Sequence, residues 1–137
     1  MLILKKRVLL INSLIFTSIM LFLASACIKE DYPVRLVFPV LTTVSATNIT
    51  ATGAVTGGDI TSNGGKEVTA RGVCWSTTAN PSTAYSDSIT VDGTGSGQFA
   101  STITGLAASK TYYVRAYATN PDGTAYGQDI SLTTTAK

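Results

Sequence analysis

The chain has 137 residues, of which 45% are apolar, 13% are charged, 22 are Thr and none is His. This length allows one domain of ordinary size, and the excess of Thr favours strands over helices. The lack of His removes the commonest general base and metal ligand, and the net charge of +2 is too small to indicate a surface for nucleic acid.

Residues 1–26 have the three parts of a secretory signal peptide. Lys5, Lys6 and Arg7 form a cationic start, 8–23 is an apolar stretch, and the last three residues are the small ones that a signal peptidase requires. The alternative is an uncleaved transmembrane anchor, but the apolar stretch is short for ~30 Å of hydrocarbon. Removal of this segment leaves seven basic and eight acidic residues, and therefore a net charge of −1.

Cys27 follows Ala24-Ser25-Ala26 directly. This arrangement resembles the lipobox of bacterial lipoproteins, in which the cysteine sulfur is diacylated and the new amino terminus is acylated after cleavage. The resemblance implies a membrane partner that is bound through lipid at Cys27, because two or more acyl chains hold a protein stably at a bilayer. Residues 27–38 would then be a lipidated tether.

A short charged run follows the cysteine. Lys29 is succeeded by Glu30 and Asp31, and this order resembles the export signal that sends lipoproteins of one large Gram-negative phylum to the outer face of the outer membrane. The resemblance implies an outer-membrane, lipid-anchored protein that is exposed at the cell surface. Retention on the periplasmic leaflet is the alternative.

From residue 39 to 135, short apolar and Thr-rich runs alternate with Gly, Asn, Asp and Pro clusters. No stretch of ten residues has a helical period, so the pattern predicts an all-β domain. In the second strand, the alternation predicts that Ile49, Ala51, Gly53 and Val55 face inward. The seven predicted strands are 40–46, 49–56, 68–76, 87–91, 98–104, 111–119 and 125–134.

The strongest local pattern begins at Leu106, which precedes Tyr112 by six residues and is followed by alternating small apolar residues. It resembles the end of a fibronectin type III domain, where a Leu and a Tyr form the tyrosine corner and the phenol oxygen bonds to the backbone. The resemblance covers 39–135 and implies a seven-stranded immunoglobulin-like sandwich. It places four side chains in the core: Tyr112, Val114, Ala116 and Ala118.

Two further residues of the predicted domain have expected structural roles. The usual Trp of the second strand falls at Gly53, so we predict that Trp75 fills from the opposite sheet the core volume that Gly53 leaves. Cys74 has no partner once Cys27 carries lipid, and it is predicted to be a buried, inert thiol. The segments 72–77, 80–81, 112–117 and 123–127 together also resemble a divergent repeat of this family found in surface lipoproteins of the same phylum.

The sequence contains little from which an active site could be built. Hydroxyl groups are plentiful, but no His can activate them as nucleophiles. The glycine-rich run 93–97 precedes a strand, whereas phosphate-binding loops open a helix. The acidic residues of the domain fall singly in turns rather than in a dense calcium loop. We therefore predict a non-catalytic protein without a metal or cofactor; the alternative is a small hydrolase.

The best candidates for ligand contact lie on the sixth predicted strand. Tyr113, Arg115 and Tyr117 alternate and are predicted to face outward, with Tyr126 of the seventh strand beside them. Aromatic planes and a planar cation suit sugar rings and peptide partners, and ordinary cross-strand pairing is the alternative. Ser88, between an Asp and an Ile, resembles the O-glycosylation sequon of the same phylum.

Together these features predict a spacer, adhesion or interaction module for protein or glycan at the cell surface. The alternative function is a carbohydrate-capture accessory of a surface polysaccharide-uptake system.

Overall fold

The computed structural model describes residues 33–137. The predicted signal peptide, Cys27 and most of the tether therefore lie outside the described residues. Within the described range the secondary structure is all strand, and no helix there is long and apolar enough to cross a membrane. The strands are β1 Val40–Thr47, β2 Gly53–Ser62, β3 Ala70–Ser76, β4 Ser88–Ile89, β5 Gly97–Thr104, β6 Thr111–Asn120, β7 Gly123–Tyr126 and β8 Ile130–Thr133.

The strands form two antiparallel sheets that pack face to face. The smaller sheet has the order β1-β2-β5, and the larger has the order β4-β3-β6, with β7 and β8 both pairing with β6. β8 pairs with the first half of β6 and β7 with the second half. The predicted all-β sandwich is confirmed, and the predicted seventh strand is divided into two.

Gly127 lies at this division because β1 of the other sheet approaches the chain there. A Cβ atom at position 127 would come within 2.6 Å of the Thr43 nitrogen. The Thr43 hydroxyl accepts from Ala116 N (3.0 Å) and donates to Gln128 O (2.6 Å). The Gln128 amide in turn accepts from Thr43 N (2.9 Å) and donates to Thr43 O (2.7 Å). Thr43 thus joins the two sheets by hydrogen bonds.

The hydrophobic core lies between the two sheets and contains the residues that the tyrosine-corner pattern indicated. Trp75 and Tyr112 are each 7% exposed and Leu106 is 5% exposed. The Tyr112 hydroxyl accepts a hydrogen bond from Ala107 N at 3.0 Å, so the tyrosine corner is formed. Their core positions, and those of three small apolar residues on β6, are confirmed: Val114, Ala116 and Ala118.

The predicted orientation of the second strand is wrong by one residue from Gly53 onward, although Ile49, which precedes β2, packs against the core as predicted. β2 begins only at Gly53, and Ala54 and Thr56 are the buried residues. Thr56 tolerates burial because its hydroxyl donates to Val44 O at 2.6 Å. Side chains alternate along a strand, so position 53 faces outward and leaves no core volume for Trp75 to fill. Trp75 is buried because it belongs to the core cluster, and not because it replaces a side chain missing at Gly53.

Candidate functional site

The outer face of the larger sheet is partly covered by the chain's own β3–β4 loop, residues 77–87. In this loop Pro81 is fully buried. Asn80 N donates to the Asp129 carboxylate (2.8 Å), and Thr83 N donates to the Tyr126 hydroxyl (3.1 Å). This loop therefore occupies part of the surface on which ligand contact was predicted.

Tyr117 is only 3% exposed, so its predicted exposure to solvent is wrong. Its cross-strand partner is Gly72, which has no side chain, and a Cβ there would lie 2.9 Å from Cε1 of Tyr117. The ring therefore lies over Gly72, and its hydroxyl donates to Thr90 O at 2.6 Å. Burial raises the pKa of the Tyr117 phenol. Its role is structural: the ring covers a glycine of the neighbouring strand.

The other three predicted contact residues share this face and are partly exposed. Arg115 stacks on Tyr126, with its guanidinium carbon 5.0 Å from the ring centroid, and its Nε donates to Gly127 O at 2.9 Å. Tyr113 lies between Ser76 on β3 and Ser131 on β8. Arg115 and Tyr126 are therefore engaged within the domain, and ligand contact by the three residues stays a prediction.

Cys74 is a free thiol that is fully buried on this face of the larger sheet. Its sulfur lies 3.5 Å from Arg115 O, and burial raises its pKa to about 11. At neutral pH the thiolate fraction is therefore very small, and the thiolate is the reactive form. The predicted burial of the Cys74 thiol is confirmed, and its inertness stays a prediction.

A polar groove lies at the end of the sandwich where β3 ends and β6 begins. We call it the distal groove; its volume is about 520 Å³. The Asp87 carboxylate accepts from Thr77 N at 2.9 Å, and the Lys110 ammonium lies 6.0 Å from the Tyr112 ring centroid. The groove is lined by Trp75, Thr77, Asp87, Ser88, Thr104, Gly105, Leu106, Lys110 and Tyr112.

The distal groove was not predicted from the sequence. Ser88 is exposed there, as a modification site would have to be, and it lies with Asp87 and Lys110 in one groove. The sequence hardly indicates that these residues are neighbours, because Lys110 is far from Asp87 in the chain. Their proximity depends on the pairing of β3 with β6.

The opposite end of β6 holds the segment that leads into β1. The Asn120 side chain, 3% exposed, donates to Val37 O (2.8 Å) and to Asn63 O (2.9 Å). The Asp122 carboxylate accepts from Val37 N (2.9 Å) and pairs with Lys66. This ion pair holds the pKa of Asp122 below its ordinary range. We call these contacts to Val37 the tether clamp.

Within residues 33–137, no three His, Cys, Asp or Glu side chains come together to hold a metal ion. The carboxylates that could supply oxygen ligands have separate structural roles. Asp122 belongs to the tether clamp, Asp87 bonds Thr77 N, and Asp92 accepts from the Thr90 hydroxyl at 2.7 Å.

No protein-family model matches the chain, and no curated protein matches it. Among solved structures, it is similar to the sensor domain of the anti-sigma factor RsgI4 in Pseudobacteroides cellulosolvens, with 17% identity and a TM-score of 0.52. That similarity covers 72% of this chain and 96% of the sensor domain. The sixth fibronectin type III domain of human fibronectin type III domain containing protein 3 shares 22% identity at a TM-score of 0.45, over 74% of this chain and 85% of that one.

These similarities concern the fold alone. The order of the strands in the two sheets and the tyrosine corner agree with the fold that the sequence predicted. The chain therefore has an all-β, fibronectin type III-like sandwich fold.

Proposed function

We propose that this protein is a non-catalytic lipoprotein of the outer membrane that displays its sandwich domain at the cell surface as a spacer, adhesion or interaction module. The lipobox-like sequence before Cys27 and the charged run after it support the anchor and the location. A soluble secreted form and the periplasmic leaflet are the alternatives that the experiments below distinguish. The remaining alternative, a small hydrolase, would be revealed by a hydrolase screen of the purified protein.

The main support for a display role is that the tether clamp and the distal groove lie at opposite ends of β6. Val37 is held at the Asn120 end of β6, and the chain leaves the sheet at the other end, where Thr133 pairs with Thr111. The ten residues of β6 separate these two ends by roughly 30 Å at the rise of an extended strand. A domain attached through Cys27 would therefore present the distal groove away from its attached end.

Replacing Cys27 by Ser is expected to abolish incorporation of a fatty-acid analogue and to leave the precursor unprocessed, because the Cys27 sulfur is the acyl acceptor. The measurement is metabolic labelling followed by gel analysis of the precursor and mature forms. Cys74→Ser is the matched control, and its labelling should equal that of the parent. Labelling that persists in Cys27→Ser would refute the lipid anchor.

The distal groove favours carbohydrate capture as a second candidate function. Its lining combines two largely buried aromatic residues, Trp75 and Tyr112, with one carboxylate, one ammonium and several hydroxyl groups. Sugar sites commonly combine apolar ring faces with a few placed polar groups. A glycan on Ser88 would fill the same groove. The mass of the purified protein therefore has to be measured first, to show whether Ser88 is glycosylated before any ligand is tested.

If the distal groove captures carbohydrate, the variant Asp87→Asn, Lys110→Gln should lose at least ~10-fold in affinity, since each ~1.4 kcal/mol of lost contact is tenfold in binding. The measurement is a glycan array with the purified, detergent-solubilised lipoprotein. Glu67→Gln, Lys137→Gln is the matched control, because it also removes one carboxylate and one ammonium but at exposed residues that do not line the groove. Equal binding by the parent and the double variant would exclude the groove, and Tyr113 would be the next residue to replace.

A further inference from the structure

Four of five consecutive side chains before and at the start of β1 are apolar and open to solvent. Leu36 is 54% exposed, Val37 36%, Phe38 45% and Val40 58%, whereas Pro39 between them is buried. We call these four exposed side chains the anchor-proximal patch. Neighbouring exposed apolar residues on a soluble domain commonly mark a surface that meets a partner or a membrane.

The tether clamp holds this patch in place. Val37 is bonded through both of its backbone polar groups, to Asp122 and to Asn120. The Phe38 ring lies over Gly123, where a Cβ atom would be 2.7 Å from Cε1 of the ring. The patch is therefore preorganised, and a partner that binds it has little backbone ordering left to do.

The chain itself limits how far the patch can lie from the anchor. Seven residues lie between Cys27 and Arg35, so their Cα atoms are eight steps apart and at most ~29 Å at 3.6 Å per step. An acylated Cys27 lies at the bilayer surface, so a lipid surface is the apolar partner that is always within reach of the patch.

We propose that the anchor-proximal patch contacts the membrane beside the lipid anchor, so that the domain is attached at two points. This inference rests on the lipoprotein function proposed above. The guanidinium of Arg35, next to Leu36 in the chain, supplies a cation that suits anionic headgroup phosphates. A second copy of the chain is the poorer occupant, because four half-exposed side chains provide far less than the ~800 Å² per partner that a stable protein interface buries.

A two-point attachment has a consequence for display. An anchor at Cys27 alone would let the domain rotate about the seven residues between Cys27 and Arg35. Contact by Leu36 and Phe38 would instead hold the Asn120 end of β6 at the bilayer and direct the distal groove outward. The clamp would then set the orientation of the domain as well as the path of its chain.

The test uses Leu36→Trp in the full chain, purified as the mature lipoprotein and reconstituted into phosphatidylethanolamine–phosphatidylglycerol vesicles with brominated acyl chains. Ala79→Trp, on the exposed β3–β4 loop, is the matched control. Trp75 is present in both variants and contributes equally. We expect bromolipid to quench the added emission of Leu36→Trp at least ~2-fold and that of Ala79→Trp hardly at all.

Equal quenching of the two variants would overturn the proposal. Shielding of the Leu36→Trp emission from an aqueous quencher without quenching by bromolipid would also overturn it, because protein would then cover the patch. Mass analysis of Cys27 in the same preparation separates this failure from that of the proposed function. An acylated protein without quenching refutes the membrane contact alone, whereas a protein without lipid refutes both.

Discussion

Replacement of Trp75 by Ala is expected to lower the free energy of unfolding by about 3–5 kcal/mol, the range for large-to-small changes of buried aromatic residues. The indole is 7% exposed and belongs to the core cluster between the sheets, so its removal leaves a cavity that β3 and β6 cannot close. Small domains are stable by about 5–15 kcal/mol, and the loss is therefore a large share of the total. Denaturant unfolding of the purified mature protein gives the value.

Tyr85→Ala is the matched control for this experiment. Tyr85 is 84% exposed on the β3–β4 loop, and its removal should change the free energy of unfolding by no more than about 0.5 kcal/mol. A Trp75 variant that unfolds at the same denaturant concentration as the control would show that the indole is not in the core. Trp75 would then have to be regarded as an exposed ring of the distal groove.

The second large effect is expected for Thr43→Val, which should cost about 1–3 kcal/mol of stability. The change keeps the shape of the side chain but removes a hydroxyl that accepts from Ala116 N and donates to Gln128 O. Thr43 is 4% exposed, so the Ala116 amide would be left buried without a partner. The measurement is again the denaturant midpoint.

Thr42→Val provides the control, because Thr42 is the adjacent residue of β1 and its side chain is exposed. It should leave the stability unchanged within about 0.5 kcal/mol. Equal midpoints for the two valine variants would contradict the role of Thr43 in joining the sheets. A lower midpoint for Thr43→Val than for Thr42→Val would show that the hydroxyl, rather than β-branching, matters at position 43.

The strands and the tyrosine corner could be predicted because their signals are local in the chain. Leu106 and Tyr112 are six residues apart, and the apolar alternation of β6 follows them directly. The orientation of β2 could not be predicted in this way, because Ala54 and Thr56 alternate with Gly53 and Val55, and neither set is much more apolar. Ala54 and Ile60 lie in the core on the same face as Thr56, and the Thr56 hydroxyl donates to Val44 O on the neighbouring strand, a contact that the local sequence does not show.

Side-chain exposure on the larger sheet needed information that alternation does not contain. The pattern assigned Tyr117 to the outer face, but its burial depends on Gly72 opposite and on Thr90, which accepts from its hydroxyl. The tether clamp could not be predicted either, because Val37 and Asp122 are 85 residues apart in the sequence. Contacts of this kind follow from the topology and have no local signature.

Labelling of intact cells with a membrane-impermeant amine reagent tests the central claim most directly. Lys110 is exposed beside the distal groove, whereas Lys66 is paired with Asp122 in the tether clamp. If the sandwich is displayed outward from the outer membrane, Lys110 will be modified in unbroken cells, with a periplasmic protein as the unlabelled control. Modification of Lys110 only after the cells are broken would contradict surface display and place the protein on the periplasmic leaflet.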